Sequence, residues 1–261
     1  VAFDTDLYQR HRSSTWLGAQ IAYREETVST MDDARAGAAA DQPEGIVFVA
    51  GIQTGGRGRL GRQWVSGESG LWATYHITSP EAAFAPLVGL AGALAVADAI
   101  RETALLSVDI KWPNDILHGG LKLAGILAES SIGERVDIFL GIGINIRAQP
   151  LPRDVAARAT SIEEAGGAVV EREVLLAALS AALELYVTQL RRSPAVVVEQ
   201  WRSRLVTLGQ RVQLHTPDGD AHEGEAFDVT PRGELMLRLD GGRVVIFAAG
   251  DATTAAPSGH S

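Results

Sequence analysis

The chain has no cysteine, two methionines, and fewer basic than acidic residues: 23 Lys and Arg against 32 Asp and Glu in 261 positions. The missing cysteine excludes disulfides and thiolate metal sites and makes a cytoplasmic enzyme or binding protein the expectation. A net charge of −9 argues against a protein whose main task is gripping a nucleic-acid backbone. No apolar run approaches the ~20 residues of a membrane span, so no membrane association is expected. The first residues, VAFDTDLYQRHRSS, lack the apolar core of a signal peptide. Six histidines show no metal-ligand spacing, no Ser/His/Asp nucleophile motif stands out, and no internal repeat is found. With 46% apolar and 21% charged residues, the chain has the balance of a globular protein with a substantial core.

Residues 45–51 (GIVFVAG) read as a buried strand, and 70–77 (GLWATYHI) as a second. Residues 85–102 are apolar nearly all round, which predicts a helix buried on most faces or shared with a partner subunit. SVDIKWPNDIL and LKLAGILAES read as two strand-like runs joined by the glycine turn HGG, and 135–146 as another strand. From Glu171 the apolar spacing becomes helical, with a second helical piece after Pro194. Past Leu208, PDGD, PRG and LDGG space four or five brief strands, which predicts a small closed barrel. The expected organisation is a mixed α+β domain over 1–203, a β module over 204–253, and a disordered tail over 254–261.

Three stretches carry chemistry. In TGGRGRLGRQW (Thr54–Trp64), four glycines let the backbone approach a ligand, and three arginines offer planar forks for carboxylate or phosphate oxygens. This is neither a Walker loop nor a dinucleotide fingerprint, and a solvated RGG-like loop is the plainer alternative. In KWPND (Lys111–Asp115), Pro113 ends a strand, so that Asn114 and Asp115 either serve turn geometry or reach a ligand. Lys122 lies inside the apolar run KLAGIL, where alternation does not decide whether it faces solvent or a buried anion. GIGIN (Gly141–Asn145) offers close backbone approach and then an amide. Ser29 and Thr30 either cap a helix beginning at Met31 or line a pocket, and the two roles are compatible.

The order of these pieces along one chain resembles the biotin protein ligase family, in its short form without an N-terminal DNA-binding domain. The likeness spans roughly residues 20–250, and GRGRLGR followed by KWPND is its most specific part. The resemblance implies a mixed-sheet catalytic domain packed with helices, of the class II synthetase type, plus a small SH3-like β-barrel. It also implies an activity: biotin and ATP, with Mg²⁺, give biotinoyl-5′-adenylate, and biotin then passes to a lysine of a carboxylase carrier domain. Ser29, Thr30, Met31 and Gln53 would take the polar end of biotin. Arg57, Gly58 and Arg59 would belong to the loop that orders over it, and Arg57, Lys111 and Lys122 would serve the reacting carboxylate and phosphate. Arg59, Arg62, Trp64, Asn114, Lys122 and Asn145 would serve ATP, with Asp115 near the Mg²⁺. Met31 stands where the family commonly has Asn, and Gly51 where it commonly has an acidic residue. The 28 residues before Ser29 are too few for a winged helix-turn-helix, so no operator binding is expected. The 85–102 helix and exposed sheet edges permit a homodimer. A lipoate or octanoate ligase of the same fold, a non-catalytic biotin sensor and an RGG-type RNA binder are the rival readings. The motif pair favours biotin, and a single RGG-like loop without an aromatic cluster disfavours RNA.

Overall fold

A computed structural model describes residues 3–79, 81–133 and 135–254; most of the expected tail, residues 255–261, lies outside them. The elements of the larger part are α1 (Thr5–His11), β1 (Ile21–Thr27), α2 (Thr30–Ala39), β2 (Val47–Gln53), β3 (Gly70–Ser79), α3 (Phe84–Ala104), β4 (Asp109–Lys111), β5 (Asp115–His118), β6 (Leu121–Ile132) and β7 (Val136–Asn145). They continue with α4 (Arg153–Ala156), α5 (Arg172–Arg192) and α6 (Pro194–Arg202). Seven strands form one mixed sheet in the order β1-β2-β3-β7-β6-β5-β4. β1 and β2 run parallel and every other pair is antiparallel.

Strand alternation sorts side chains between two faces. On β7, Ile138, Leu140, Ile142 and Ile144 enter the main core with α3 and α5. The intervening Phe139 joins a smaller cluster with Met31, Ala34, Ile46 and Phe48 under α2. Gly141, Gly143 and Asn145 share the Phe139 parity, so the glycine-rich segment faces the side where α2 begins. Between α1, β3 and α5, the Ser180 hydroxyl bonds both Tyr8 and Tyr75, so the buried polar groups there are satisfied.

Two expectations need correction. First, α3 and α5 are each long and apolar enough to cross a membrane by length and composition, with mean hydropathy 1.5 and 1.4. Most of their apolar residues, from Val88 through Ile100 on α3 and from Leu175 through Leu190 on α5, are spent on the core instead, with Leu185 an exposed exception. Second, SVDIKWPNDIL is not one strand. It breaks at the cis Trp112–Pro113 peptide into β4 and β5, which pair back on each other with Lys111 opposite Asp115.

The smaller part comprises β8 (Arg211–His215), β9 (Ala221–Val229), β10 (Leu235–Leu239), β11 (Val244–Phe247) and β12 (Asp251–Thr254). These strands pair antiparallel in the linear order β11-β10-β9-β8-β12. The expected small β module is thus a five-stranded antiparallel sheet, and Thr254 ends its last strand rather than starting a tail. This sheet is fastened to the β4–β5 turn. The Trp112 indole donates to the Gly233 carbonyl at 3.0 Å, and its backbone N–H donates to the Thr207 hydroxyl at 2.9 Å. Gly233 has a φ of 78°, a left-handed conformation that strains other residues, and a Cβ there would come within 2.8 Å of Leu90 on α3.

Candidate functional site

A cavity of about 380 Å³ opens on the α2 side of the sheet, between the first turn of α2, the 54–65 loop, the β4–β5 turn, β6, β7 and the start of β12. One end is polar but uncharged. Ser29 caps α2 by accepting from the Met31 N–H. Thr30 donates both its backbone N–H and its hydroxyl to Gln53 Oε1, at 2.9 and 3.0 Å. The Gln53 amide nitrogen donates to Ser66 Oγ at 2.8 Å, and the Thr30 and Thr74 hydroxyls bond at 2.8 Å. Gln53 is therefore held in one orientation, as a group that must read a ligand requires. Met31 is almost wholly buried in the small cluster beneath, against Gly141. Gly51 has no space for the acidic residue seen in the resemblance, because a Cβ would sit 2.6 Å from the Glu25 carbonyl.

The 54–65 loop folds as an irregular hairpin with bridges Gln53↔Ser66 and Arg57↔Gln63. Gly58 N–H donates to the Arg62 carbonyl, and Trp64 N–H to that of Gly56. Leu60 at its tip is left-handed, with φ 56°. The three arginines go to three different elements. Arg57 makes a bidentate pair with Asp32 on α2, at 2.9 and 2.6 Å. This hydrogen bonding lowers the Asp32 pKa and raises that of Arg57. Arg59 lies 3.5 Å from Asn114 Oδ1. Burial pushes its guanidinium below the ordinary value, while Asp115 and Asp251 pull it back. Arg62 reaches Asp251 on β12 at 2.9 Å. The structure thus turns Arg59 toward the cavity's charged end and ties Arg57 to α2.

At that end Lys122 bonds Asp115 at 2.6 Å and lies over the Trp64 ring, 5.2 Å from its centroid. The question that alternation left open has a geometric answer. Asp115 pairs with Gly125 and Ile116 with Ala124, but Leu117 pairs with Lys122, so Leu123 is the extra residue of a β-bulge. The bulge shifts parity by one and places Lys122 on the Gly125 face, over the cavity. Lys111 lines the same end.

Two glycines of β6 and β7, Gly125 and Gly143, make room for the Trp64 indole. A Cβ on Gly125 would lie 2.8 Å from Trp64, and one on Gly143 2.7 Å from it. Trp64 Nε1 is buried without a partner in the protein. Asn145 lines the cavity and donates its amide to the Thr160 carbonyl at 3.0 Å. Asn114 likewise donates to the Ile126 carbonyl at 2.6 Å. Among the described residues no group of three or more His, Cys, Asp or Glu could hold a metal ion. The acidic groups lining the cavity are Asp115 and Asp251, each already bonded to a cation. Mg²⁺ usually takes only one or two carboxylates plus substrate phosphates, so this donor set suits an ion that arrives with a nucleotide.

Sequence reasoning missed Thr74, Ser66, Asp32 and Asp251. Thr74 was within reach, because alternation in LWATYHI puts Trp72, Thr74 and His76 opposite the core residues Leu71, Ala73, Tyr75 and Ile77. The other three had no local signal.

Residues 26–145 match the Biotin/lipoate A/B protein ligase family and residues 207–252 the Biotin protein ligase C terminal domain. The chain is 33% identical over 258 residues to the biotin–[acetyl-CoA-carboxylase] ligase of Mycobacterium tuberculosis, covering 94% of each. A biotin protein ligase from Leishmania major, solved with biotinyl-5-AMP, matches 88% of this chain and 99% of its own, with TM-score 0.60 and 27% identity. The Aquifex aeolicus biotin protein ligase in complex with biotin and ATP shares the fold, with TM-score 0.78 over 90% of this chain and 98% of its own at 24% identity. Sequence likeness over nearly the whole length, together with the fold, shows that the chain belongs to the biotin protein ligase family.

Proposed function

We propose that the protein activates biotin with ATP and transfers it to a lysine of a biotin carboxyl carrier domain, as found in an acyl-CoA carboxylase. The observation that carries this reading is the polarity of one cavity: a neutral hydroxyl–amide end suited to a ureido ring, and a cationic end suited to phosphates. In the first step a biotin carboxylate oxygen bonds to the α-phosphorus of ATP, and the bond to pyrophosphate breaks. Two anions must meet, which is unfavourable without fixed cations. Lys122, Arg59 and Lys111 supply that charge, with Arg62 at the rim and Arg57 closing the loop from the α2 side. Asp115, which lines the charged end, would hold a Mg²⁺ arriving with the nucleotide, and that ion would supply charge neutralisation for the leaving phosphates. Lys122 would then exchange Asp115 for the reacting oxygens. In the second step the carrier's uncharged amine attacks the acyl carbon, AMP leaves, and the nitrogen loses a proton. The loop, ordered by its own bridges, shields the hydrolysable adenylate meanwhile. A cytoplasmic location fits a reaction that consumes ATP.

The test is ATP–pyrophosphate exchange with biotin, lipoate or octanoate, with Lys122→Ala as control. Exchange with biotin alone, lost in the variant, is the expected result. Exchange with lipoate or octanoate in its place would overturn the substrate. Biotin binding without exchange would overturn the chemistry.

A further inference from the structure

The smaller sheet enters the cavity through Asp251, the first residue of β12. Its carboxylate accepts from Arg62 Nη2 at 2.9 Å, and the Arg62 guanidinium makes no other hydrogen bond among the described residues. The contrast with Arg57 is informative. Arg57 gives both terminal nitrogens to Asp32, whereas Arg62 gives one to Asp251 and keeps Nε and Nη1 free to donate. Burial works against the charge on Asp251. Arg62, followed by Lys111 and Lys122, outweighs it and leaves the carboxyl below its usual range. Arg59 has Asp251 as one of its two opposite charges. One carboxylate from the smaller sheet thus sits in the field of four cations belonging to the larger part.

Asp251 is also rigidly placed. It pairs with His215 across the β8–β12 ladder. The preceding Gly250 has no room for a side chain, since a Cβ would come within 2.9 Å of the His215 carbonyl. The sheet that carries it is clamped to the β4–β5 turn through Trp112 and to α6 through Arg202–Asp228. Asp32 and Asn114, which meet the other two loop arginines, both belong to the larger part. Arg62–Asp251 is therefore the loop's side-chain tie to the smaller sheet among the described residues. A single-bonded acceptor of this kind orients a guanidinium without consuming it.

We propose that Asp251 is a positioning residue for the adenylation step. It fixes Arg62, and with it the returning limb of the 54–65 loop, so that the free Nε and Nη1 face the phosphates of the incoming nucleotide. Arg62 keeps Asp251 while it binds phosphate, so the contact lowers the cost of ordering the loop and does not compete with ATP. This rests on the reading that the cationic end takes ATP.

The experiment is steady-state biotin-dependent pyrophosphate exchange with wild type, Asp251→Asn, Asp251→Glu, Arg62→Ala and the Arg62→Ala/Asp251→Asn double variant. Trypsin cleavage of the loop is timed beside it in ligand-free protein. Asp251→Asn raises KM for ATP about three- to five-fold, the span of a partly exposed ion pair, with kcat unchanged. Loop cleavage accelerates by a similar factor, Asp251→Glu restores most of both, and the double variant is no worse than Arg62→Ala. An unchanged KM for ATP, a loss confined to kcat, a Glu variant as impaired as Asn, or additive losses in the double variant would overturn the proposal. If wild type itself gives no biotin-dependent exchange, the reading of the nucleotide end fails instead. The tie is then decided by trypsin alone: equal cleavage of wild type and Asp251→Asn overturns it, and faster cleavage of the variant upholds it.

Discussion

Replacing Gly143 by alanine tests whether the β7 glycines serve Trp64. The added methyl would lie 2.7 Å from Trp64 Nε1 and Cε2 and 3.0 Å from Cζ2, too close for any real Cβ. The other edge of the indole lies over Gly125, where a Cβ would come within 2.8 Å, so the ring rests on the two paired glycines. Trp72 stands edge-on with ring centroids 6.3 Å apart. The ring must lift into the cavity, and the loop limb anchored by the Trp64 N–H to Gly56 must lift with it. Overpacking of this kind costs about 1–3 kcal/mol, which at this chain length lowers Tm by about 3–10 °C. Because the displaced ring intrudes on the cavity, KM for biotin should rise at least ten-fold in the exchange assay, as a cost of about 1.4 kcal/mol or more implies. Trp64→Phe in the same background removes the atoms that clash and should recover most of the Tm. A Gly143→Ala protein with wild-type Tm and KM would refute the reasoning, and so would a double variant worse than either single one.

Lys122→Ala should lower the rate of biotin-dependent exchange by about 10²–10³, the cost of losing a donor to developing charge, with little change in biotin affinity measured by calorimetry. Thr74→Val leaves the Thr30 hydroxyl without that neighbour and Gln53 less firmly held, so biotin affinity should fall about five- to thirty-fold with kcat nearly unchanged, read from the KM–kcat split. Leu60→Gly removes a left-handed side-chain cost of about 1 kcal/mol at the loop tip and should raise Tm by about 2–4 °C. Asp32 has its folded-state pKa depressed by Arg57, so its contribution is fully present above the ordinary carboxylate range and lost as pH falls through the lower folded value. The Tm gap between wild type and Asp32→Asn should therefore hold from about pH 8 to pH 5 and narrow below about pH 4; a gap that widened on acidification would reverse the assignment.

Much of this architecture is written locally. Val47–Gln53, Gly70–Ser79 and Val136–Asn145 are strands because their apolar residues fill the alternate positions a two-faced sheet needs, and α5 follows its three- and four-residue spacing. The loop arginines and Lys122 were legible as cations with an anion to meet. What they meet within the protein was not legible. Asp32, Asn114 and Asp251 lie 25, 55 and 189 residues from their arginines, and no local pattern encodes such pairings. Lys122 defeated alternation because one extra residue in β6 changes parity, and a bulge depends on the partner strand. The glycines of GIGIN are sites of close approach, and the approaching groups are side chains, Met31 at Gly141 and Trp64 at Gly143.

The burial of Trp112 bears on how the molecule comes apart. Its indole bonds to the β9–β10 turn at Gly233 and its amide to Thr207 just before β8, while the residues on either side of the turn, Lys111, Asn114 and Asp115, line the cavity. Melting the smaller sheet would expose a large apolar ring to water and release the turn that carries the charged end. The two parts should then denature as one unit, with calorimetric and van't Hoff enthalpies in agreement. Heat or denaturant would abolish nucleotide recognition at the same midpoint as the fold, with no window in which the larger part survives as a competent enzyme.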